Sequence, residues 1–465
     1  MGKIQPRTKM PVQSAQERIE NFHEVNQGLS VEEAVAEAKR CIQCKHRPCV
    51  AGCPVGIEIP DFIKLIAAER FAEALDKIKE KNSLPAICGR VCPQERQCES
   101  VCTLGKRFEP VAIGALERFA ADWGRNHSDT TQATPNTTGQ ALGKVATVGS
   151  GPSAITCAAE LARLGYQVTM FEALHEPGGV LVYGIPEFRL PKQIVKEEIE
   201  YVQSLGVDIK TNVIIGRTLT LEELFSDLGF DAVFLGAGAG TPYFLGIPGE
   251  NANGVFSSNE FLTRVNLMKA YKFPEVDTPV KVGKKVVVIG GGNTAMDAAR
   301  TARRLGAEVT VVYRRSREEM PARGEEIVHA VEEGIVLELL TVPHEILFDE
   351  RRWVTGLVCG RMELGPQGPD GRRKPVLIPD SSFELPADTV IVAIGQGPNP
   401  LLAQSTPGLA VDAQGNVITE DGVSTSLSGV FAGGDLTGGE STVISAMGDG
   451  KKAAMAIHRY LQAGK

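Results

Sequence analysis

The chain has 465 residues, of which 43% are hydrophobic, and its formal net charge is −8. This apolar content excludes disorder as the main state, and the negative charge excludes a strong field for nucleic acid. No stretch approaches the roughly 20 consecutive apolar residues of a membrane span. The length corresponds to about three domains. Residues 1–6 carry no apolar signal core, so we expect a cytoplasmic, reducing compartment, where ten cysteines need a role other than disulfides.

Eight of the ten cysteines lie in one segment near the start of the chain. Ser30 and Glu33 form a capping-box pattern, which predicts a helix that runs toward this segment. The cysteines are arranged as Cys41-x2-Cys44-x4-Cys49-x3-Cys53 and, later, as Cys88-x3-Cys92 with Cys98-x3-Cys102. The isolated Cys157 and Cys359 are predicted to pack in hydrophobic cores.

Thiolates two to four residues apart on tight turns can hold a cubane of iron and sulfide, and a proline after a ligand turns the chain away from it. Two [4Fe–4S] clusters are therefore predicted. A structural zinc site is the alternative, but zinc sites usually contain two CxxC pairs and this segment has one. Eight thiolates suffice for two clusters only if all are ligands, and the spacing does not assign each cysteine to a cluster.

The residue composition and the hydrophobic pattern change after the cysteine segment. A helix is predicted over 113–123, and a polar tract over 124–143 is interpreted as a linker. From Lys144 onward, short Val/Ile/Ala runs alternate with amphipathic helical patterns, which indicates an α/β architecture.

The first run, Lys144–Val148, leads into a Gly-x-Gly-x-x-Ala turn and a helix predicted over 155–164. Glycines at such a turn let the backbone approach a pyrophosphate at the helix N-terminus. A second strand, Gln167–Phe171, ends in an acid that is correctly spaced to bind a ribose hydroxyl. FAD is the predicted ligand. The residues assigned to it here are Gly149, Gly151, Ala154 and Glu172.

The same pattern returns 141 positions later, with a strand over Lys285–Ile289, a glycine turn, a helix predicted over 296–305 and a strand over 308–312. Two arginines follow that strand where the first unit has an acid. Guanidinium groups at this place favour the 2′-phosphate of NADPH, which a carboxylate would repel. The residues assigned to NADPH are Gly290, Gly292, Asn293, Thr294, Ala295, Arg314 and Arg315.

The C-terminal part contributes further candidate FAD contacts. Asp435, which follows Gly434 after an apolar strand, is placed to accept a ribityl hydroxyl, and a helix predicted from Ser441 to Met455 directs its N-terminal N–H groups at the reduced flavin. Thr442, Val443 and Gly179 complete the predicted FAD site. No cysteine pair follows Gly179, so flavin–disulfide chemistry is excluded.

These features together resemble the NADPH-dependent glutamate synthase small-subunit family. This family includes the large subunit of the electron-bifurcating NADH-dependent ferredoxin:NADP oxidoreductase and the N-terminal half of dihydropyrimidine dehydrogenase. The resemblance extends from Arg40 to the end and is most specific over 88–102 and 286–300. It implies an α/β protein with a helical iron–sulfur domain (1–140) and an FAD domain in two parts (141–250 and 394–465), which is interrupted by an NADPH domain (251–393).

The resemblance also implies a division of the cluster ligands. One set consists of Cys53, Cys92, Cys98 and Cys102. The other consists of Cys41, Cys44 and Cys49, with a side-chain oxygen from the 113–123 helix as the fourth ligand, for which Glu117 is the candidate. Cys88 is then left over, and whether Cys88 or Glu117 is a ligand stays open.

The predicted activity is electron transfer from NADPH through FAD and the clusters to a partner. A second redox subunit is expected, because no pocket for glutamine, oxoglutarate or pyrimidine is evident. This partner is either a glutamate synthase large subunit or a ferredoxin-linked flavoprotein of a bifurcating enzyme; a dihydropyrimidine dehydrogenase type of input subunit is a further alternative. A stand-alone NADPH dehydrogenase and a zinc-binding assembly module are the competing hypotheses.

Overall fold

The computed structural model describes residues 5–127, 141–368, 371–439 and 441–464. Two predictions fall partly outside this range. Residues 1–4 belong to the start that lacks a signal pattern, and residues 128–140 make up most of the predicted linker. None of the described helices is long and apolar enough to cross a membrane.

The cysteine segment folds as a bundle of short helices. The Ser30 side chain accepts a hydrogen bond from Glu33 N–H, and the Glu33 side chain accepts one from the Ser30 backbone N–H. The second helix therefore begins at the predicted cap. The last helix of the bundle extends three residues beyond its predicted end. The helices are α1 Ala15–Arg18, α2 Val31–Ala38, α3 Pro48–Ala51, α4 Ile59–Ala67, α5 Phe71–Lys79, α6 Pro85–Val91 and α7 Ile113–Asn126.

The next part of the chain supplies most of a first sheet. Its strands Lys144–Val148 and Gln167–Phe171 fall on the predicted apolar runs. Its first helix starts at Pro152, three residues earlier than predicted, because helical hydrogen bonding begins directly at the glycine turn. The elements are β1 Lys144–Val148, α8 Pro152–Arg163, β2 Gln167–Phe171, α9 Val180–Tyr183, α10 Lys192–Ser204, β3 Asp208–Lys210, α11 Leu221–Ser226, β4 Ala232–Leu235 and β5 Ala239–Pro242.

A second sheet and an antiparallel sheet follow. The helix after the second glycine turn again begins three residues before its predicted start. The elements are β6 Val255–Ser257, α12 Ser258–Asn266, β7 Lys285–Ile289, α13 Asn293–Arg304, β8 Glu308–Tyr313, α14 Gly324–Glu332, β9 Val336–Leu339, β10 Thr341–Phe348, β11 Val354–Gln367, β12 Arg373–Leu377, β13 Phe383–Pro386 and β14 Thr389–Val392.

The chain then returns to the first sheet. The elements of this return are β15 Gln396–Pro398, α15 Pro400–Ser405, β16 Val430–Ala432 and α16 Val443–Ala463. The first sheet has the order β16-β4-β1-β2-β3 and the second has the order β6-β14-β7-β8-β9; all strand pairs in both are parallel. Because β4 and β16 are neighbours, the second sheet is an interruption of the first, as the resemblance implied.

Hydrogen bonds join the helical bundle to the second sheet. The Arg96 guanidinium donates to the carbonyl oxygens of Pro321 and Ala322, at 2.8 and 2.9 Å. In the opposite direction, Arg323 donates to the Arg90 carbonyl oxygen at 3.0 Å. Side chains from the bundle and from the second-sheet part of the chain therefore both hold the turn after α6 against the loop before α14.

A buried ion-pair cluster lies where the bundle and both sheets meet. Arg18 Nε is 3.1 Å from Glu333 Oε1, and Arg189 Nη1 is 2.7 Å from Asp297 Oδ1. Each of these side chains is at most 7% exposed. Burying charges costs free energy unless they are paired, so this cluster ties α1, the segment before α10 and the helices of the second sheet into one arrangement.

Candidate functional site

The first glycine turn lies between β1 and α8. Gly149 has φ +93°, and a Cβ there would lie 2.6 Å from the Gly236 carbonyl oxygen, so only glycine fits. Gly151 is the N-cap of α8, and the space where its Cβ would stand is open for 4 Å. This arrangement leaves a cradle at the helix N-terminus that suits a pyrophosphate.

Glu172 follows β2 and is buried beside this turn. The Ser150 hydroxyl donates to one carboxylate oxygen, and Leu174 N–H donates to the other at 2.7 Å. Ser150 Oγ also accepts from Gly178 N–H at 2.8 Å. The acid is thus held at the carboxyl edge of the sheet, and the loop that contains Gly179 is tied to the same turn.

The segment after β16 faces the same region. Burial, together with Asp449, raises the pKa of Asp435 to about 6. Burial, Glu172 and Asp435 raise the pKa of Tyr183 to about 12, so this phenol stays a hydrogen-bond donor at neutral pH. Tyr183 thus lies close to two predicted FAD residues. The sequence did not predict this, because no motif marks the end of α9.

The helix α16 begins at Val443, with Thr442 as its N-cap; Thr442 Oγ1 accepts from Ser445 N–H at 3.2 Å. It packs against α8, where a Cβ on Gly450 would overlap the Ser153 carbonyl. Gly434, Thr442 and the first glycine turn are thereby brought to one side of the first sheet.

The second glycine turn has the same construction. Gly290 has φ +146°, and a Cβ there would overlap the Ala393 carbonyl. Gly292 is the N-cap of α13, whose first residues are Asn293, Thr294 and Ala295. Asn293 Oδ1 accepts from Arg323 N–H at 2.9 Å, so the loop before α14 borders this turn.

The two arginines after β8 differ in their surroundings. Arg314 is exposed, whereas Arg315 is 8% exposed and its Nε donates to the Arg373 carbonyl oxygen at 2.8 Å. Val312 pairs with Ile289, so both arginines follow the strand beside the second turn. Arg373 is the first residue of β12, and no local sequence pattern predicts its contact with Arg315.

All ten cysteines are free thiols. Four of them lie near one another. Burial, followed by the nearby Cys41, Cys102 and Cys44, raises the pKa of Cys49 to about 11. These four are the first thiol group. The residue before Cys102, Val101, packs against Gly52, where a Cβ would lie 2.7 Å from Val101 Cγ2.

Cys53, Cys92 and Cys98 form a second thiol group, with Glu117 as their common neighbour. The hydrogen bond with Cys88 is the largest cause of the raised pKa of Cys92, and burial and the nearby Glu117 contribute to the raised pKa of all three thiols. The family resemblance instead implies Cys102 with Cys53, Cys92 and Cys98, and Glu117 with Cys41, Cys44 and Cys49. Which thiols share a cluster stays a prediction.

Burial raises the pKa of Glu117 to about 8, and Asn82 Nδ2 donates to its Oε1 at 2.7 Å. Cys88 is fully buried, and its Sγ lies 3.4 Å from Met447 Sδ on α16 and 3.8 Å from Asn82 Oδ1. In the described part of the chain, no three His, Cys, Asp or Glu side chains are spaced to bind one metal ion, as a structural zinc would require.

Two family models match the chain. The model described as "dihydropyrimidine dehydrogenase domain II, 4Fe-4S cluster" matches residues 18–129, and the model described as "pyridine nucleotide-disulphide oxidoreductase" matches residues 143–450. The predicted iron–sulfur domain and the nucleotide-binding reductase domains are thereby confirmed. The count of two clusters stays a prediction.

Relatives and solved structures agree with these matches. The glutamate synthase [NADPH] small chain of Escherichia coli is 37% identical over 95% of this chain and 94% of its own length. Subunit beta of the NADPH-Fe(3+) oxidoreductase of Geobacter sulfurreducens is 40% identical over 92% of this chain, which spans 66% of that protein. Mycobacterium tuberculosis FprA in complex with NADPH is 24% identical, with a TM-score of 0.58 over 69% of this chain and 85% of its own, and so shares the fold.

The predicted resemblance and the predicted enzyme class are confirmed: the chain belongs to the glutamate synthase small-chain family and is a pyridine-nucleotide-dependent oxidoreductase with a [4Fe–4S] domain.

Proposed function

We propose that the chain is the NADPH-oxidising subunit of a larger redox enzyme, and that electrons travel from NADPH through FAD and two [4Fe–4S] clusters to a partner subunit. The single observation that carries the proposal is the packing of α16 on residues that adjoin the second thiol group in the chain or by a hydrogen bond. Met447 touches Cys88, and a Cβ on Gly448 would lie 3.1 Å from the carbonyl oxygen of Pro54, the residue after Cys53. The helix that caps the candidate flavin site thus packs on a candidate cluster site.

The residues of the first sheet fit FAD. The open cradle at Gly151 accommodates the pyrophosphate, Glu172 binds a ribose hydroxyl and Asp435 binds the ribityl chain. The N-terminus of α16, at Thr442 and Val443, stabilises negative charge on the ring. When bound, FAD supplies the conversion of a two-electron hydride into single electrons.

The residues of the second turn fit NADPH. The N–H groups at Gly292–Ala295 face the pyrophosphate, and the guanidinium groups of Arg314 and Arg315 bind the 2′-phosphate. The chain orients the nicotinamide and contributes no acid or base, since hydride transfer between two bound cofactors needs positioning alone.

The thiol groups fit two clusters, and the electrostatic neighbours of the buried thiols support the following division of ligands. The first cluster is bound by Cys41, Cys44, Cys49 and Cys102. The second is bound by Cys53, Cys92, Cys98 and the Glu117 carboxylate. Cys88 is the alternative to Glu117, because its thiol is hydrogen-bonded with Cys92 as well as lying beside Met447 and Asn82.

The proposed partner is a glutamate synthase large subunit, because the chain matches that enzyme's small chain nearly end to end. The bifurcating ferredoxin:NADP enzyme is the alternative. We also place the protein in the cytoplasm, on the ground that cluster ligands must stay reduced.

Anaerobic purification tests the proposal. We expect about eight iron atoms with equal acid-labile sulfide and one FAD per chain, and bleaching of the flavin bands when NADPH is added. Coexpression with an adjacent large subunit should give a stable complex. Protein without iron or acid-labile sulfide would contradict the electron path, and a chain that never binds a second subunit would support the stand-alone dehydrogenase.

A further inference from the structure

The surface around the first thiol group is apolar at its centre. Ile42 and Val101, which adjoin Cys41 and Cys102, are 51% and 42% exposed, and Phe108 is 51% exposed. Because Cys41 and Cys102 are neighbours, the exposed Ile42 and Val101 flank the same thiol group, as apolar side chains do at interaction sites. We call these three residues and the basic residues beside them the cysteine face.

The rim of this face is basic although the chain as a whole carries a charge of −8. The segments 39–57 and 100–108 contain no Asp or Glu. Lys45, Lys106 and Arg107 are exposed in them, and none of the three has an ion-pair partner among the described residues. The nearby Arg47 is instead neutralised, since it lies 3.0 Å from Glu58 and 2.8 Å from Asp61.

The two thiol groups differ in their access to solvent. Cys41, Cys44 and Cys102 of the first group are partly exposed and Cys49 is buried, whereas Cys92 and Cys98 of the second group are buried and Cys53 is partly exposed. An electron that reaches the first group is therefore next to the surface, and the cysteine face is the part of that surface which surrounds it.

We propose that the cysteine face docks an acidic redox partner, that is, a protein whose own cofactor is surrounded by carboxylates and whose apolar centre covers Ile42, Val101 and Phe108. This inference rests on the proposed function and adds to it that electrons leave through the first cluster. An apolar core with a charged rim is the usual anatomy of a protein interface, and opposite charges raise the rate of encounter and fix the orientation.

The experiment uses the holoenzyme, NADPH and two protein acceptors of opposite charge: an acidic flavodoxin and the basic mitochondrial cytochrome c. Rates of reduction are measured as ionic strength rises from about 0.02 M to about 0.3 M, a range over which screening grows strongly. The variants are Lys45→Glu and the double variant Lys106→Glu with Arg107→Glu. Lys284→Glu, an exposed lysine just before the N-terminal end of β7, is the matched control.

We expect salt to slow the reduction of flavodoxin and not that of cytochrome c. Each charge-reversal variant should reduce flavodoxin about tenfold more slowly at low salt and should lose the salt dependence, while the control behaves like the parent. Iron content and NADPH bleaching of the flavin are measured for every variant. If Lys45→Glu loses a cluster, the double variant still tests the proposal, because Lys106 and Arg107 lie outside the loop from Cys41 to Cys53.

Two negative results are distinguishable. Iron-replete variants that keep the parent's flavodoxin rate and salt dependence would overturn the docking proposal alone. A parent protein that has no iron, or that NADPH does not bleach, would overturn the proposed function and the docking proposal with it.

Discussion

Asn82 donates its side-chain amide to Glu117 Oε1 at 2.7 Å, while its own Oδ1 accepts from Leu84 N–H at 2.8 Å. The backbone donor fixes which end of the amide faces Glu117, because the oxygen must face Leu84 and the nitrogen must face the carboxylate. The Glu117 carboxylate is therefore held in place by the turn that begins α6, the helix that carries Cys88 and leads to Cys92.

We predict that Asn82→Ala changes the second cluster without removing the other ligands. The buried carboxylate loses its donor, which costs about 1–3 kcal/mol of stability, and its orientation relaxes. The measurement is the EPR spectrum and midpoint potential of the reduced clusters. Asn266→Ala is the control, since this buried amide donates to the carbonyls of Tyr183 and Gly184, outside the bundle. Equal spectra for both variants would count against a role of Asn82 at the cluster.

Glu117→Ala and Cys88→Ala separate the two candidates for the fourth ligand. We expect Glu117→Ala to lose iron from one cluster or to shift its potential, because an oxygen ligand is removed. Cys88→Ala should keep both clusters, because Cys88 contacts Met447. Iron content and EPR of the two variants are compared. The opposite result, with iron lost only in Cys88→Ala, would assign the ligand to Cys88.

Arg314→Ala should weaken NADPH binding about 10- to 100-fold and leave NADH binding nearly unchanged, since a charged hydrogen bond contributes about 1.5–3 kcal/mol. Arg315→Ala should also lower stability, because it removes the donor to the Arg373 carbonyl. The check is the dissociation constant of each nucleotide. An equal loss for both nucleotides would show that these arginines do not read the 2′-phosphate.

Glu172→Ala should lose FAD during purification. The carboxylate is prearranged by Ser150 and by Leu174 N–H, so its removal also loosens the first glycine turn. The measurement is the flavin content per chain after gel filtration. Full flavin content in the variant would mean that the acid is incidental to FAD binding.

Asp435→Asn should stabilise the flavin-free protein at neutral pH while weakening its hold on FAD. Burial and Asp449 raise the pKa of Asp435 from 3.8 to about 6, so the folded state binds the proton more tightly than the unfolded state does. Stability from this group is therefore present below the unfolded value and is lost as pH rises to about 6. The variant should gain at most about 3 kcal/mol at pH 7.5 and little at pH 4. Unfolding curves at the two pH values provide the check.

Sequence patterns predicted the parts of this protein that are local. The strands β1, β2, β4 and β7 follow from apolar runs, and the helix α2 follows from its Ser30 cap. The helices α8 and α13 begin earlier than predicted because helical hydrogen bonding starts at the glycine turn itself, before the apolar periodicity becomes visible.

Contacts between distant segments were not predictable in this way. Cys88 and Met447 are 359 positions apart, and the contact of Arg315 with Arg373 depends on where the start of β12 falls. The neighbourhood of Cys102 and Cys49 joins segments that are far apart in the chain. Spacing along the chain cannot reveal any of these, since each is set by tertiary packing.

Arg96 of the iron–sulfur bundle and Arg323 of the nucleotide-binding part donate hydrogen bonds to each other's backbone segments. These bonds couple the stability of the bundle to that of the loop beside the second glycine turn. Cutting the bundle away would leave the carbonyls of Pro321 and Ala322 without these donors and Arg323 without the Arg90 carbonyl, so the remainder should be less stable than the intact protein. Calorimetry of the intact protein should accordingly record one cooperative transition spanning both regions, in place of separate melting of a ferredoxin and a reductase.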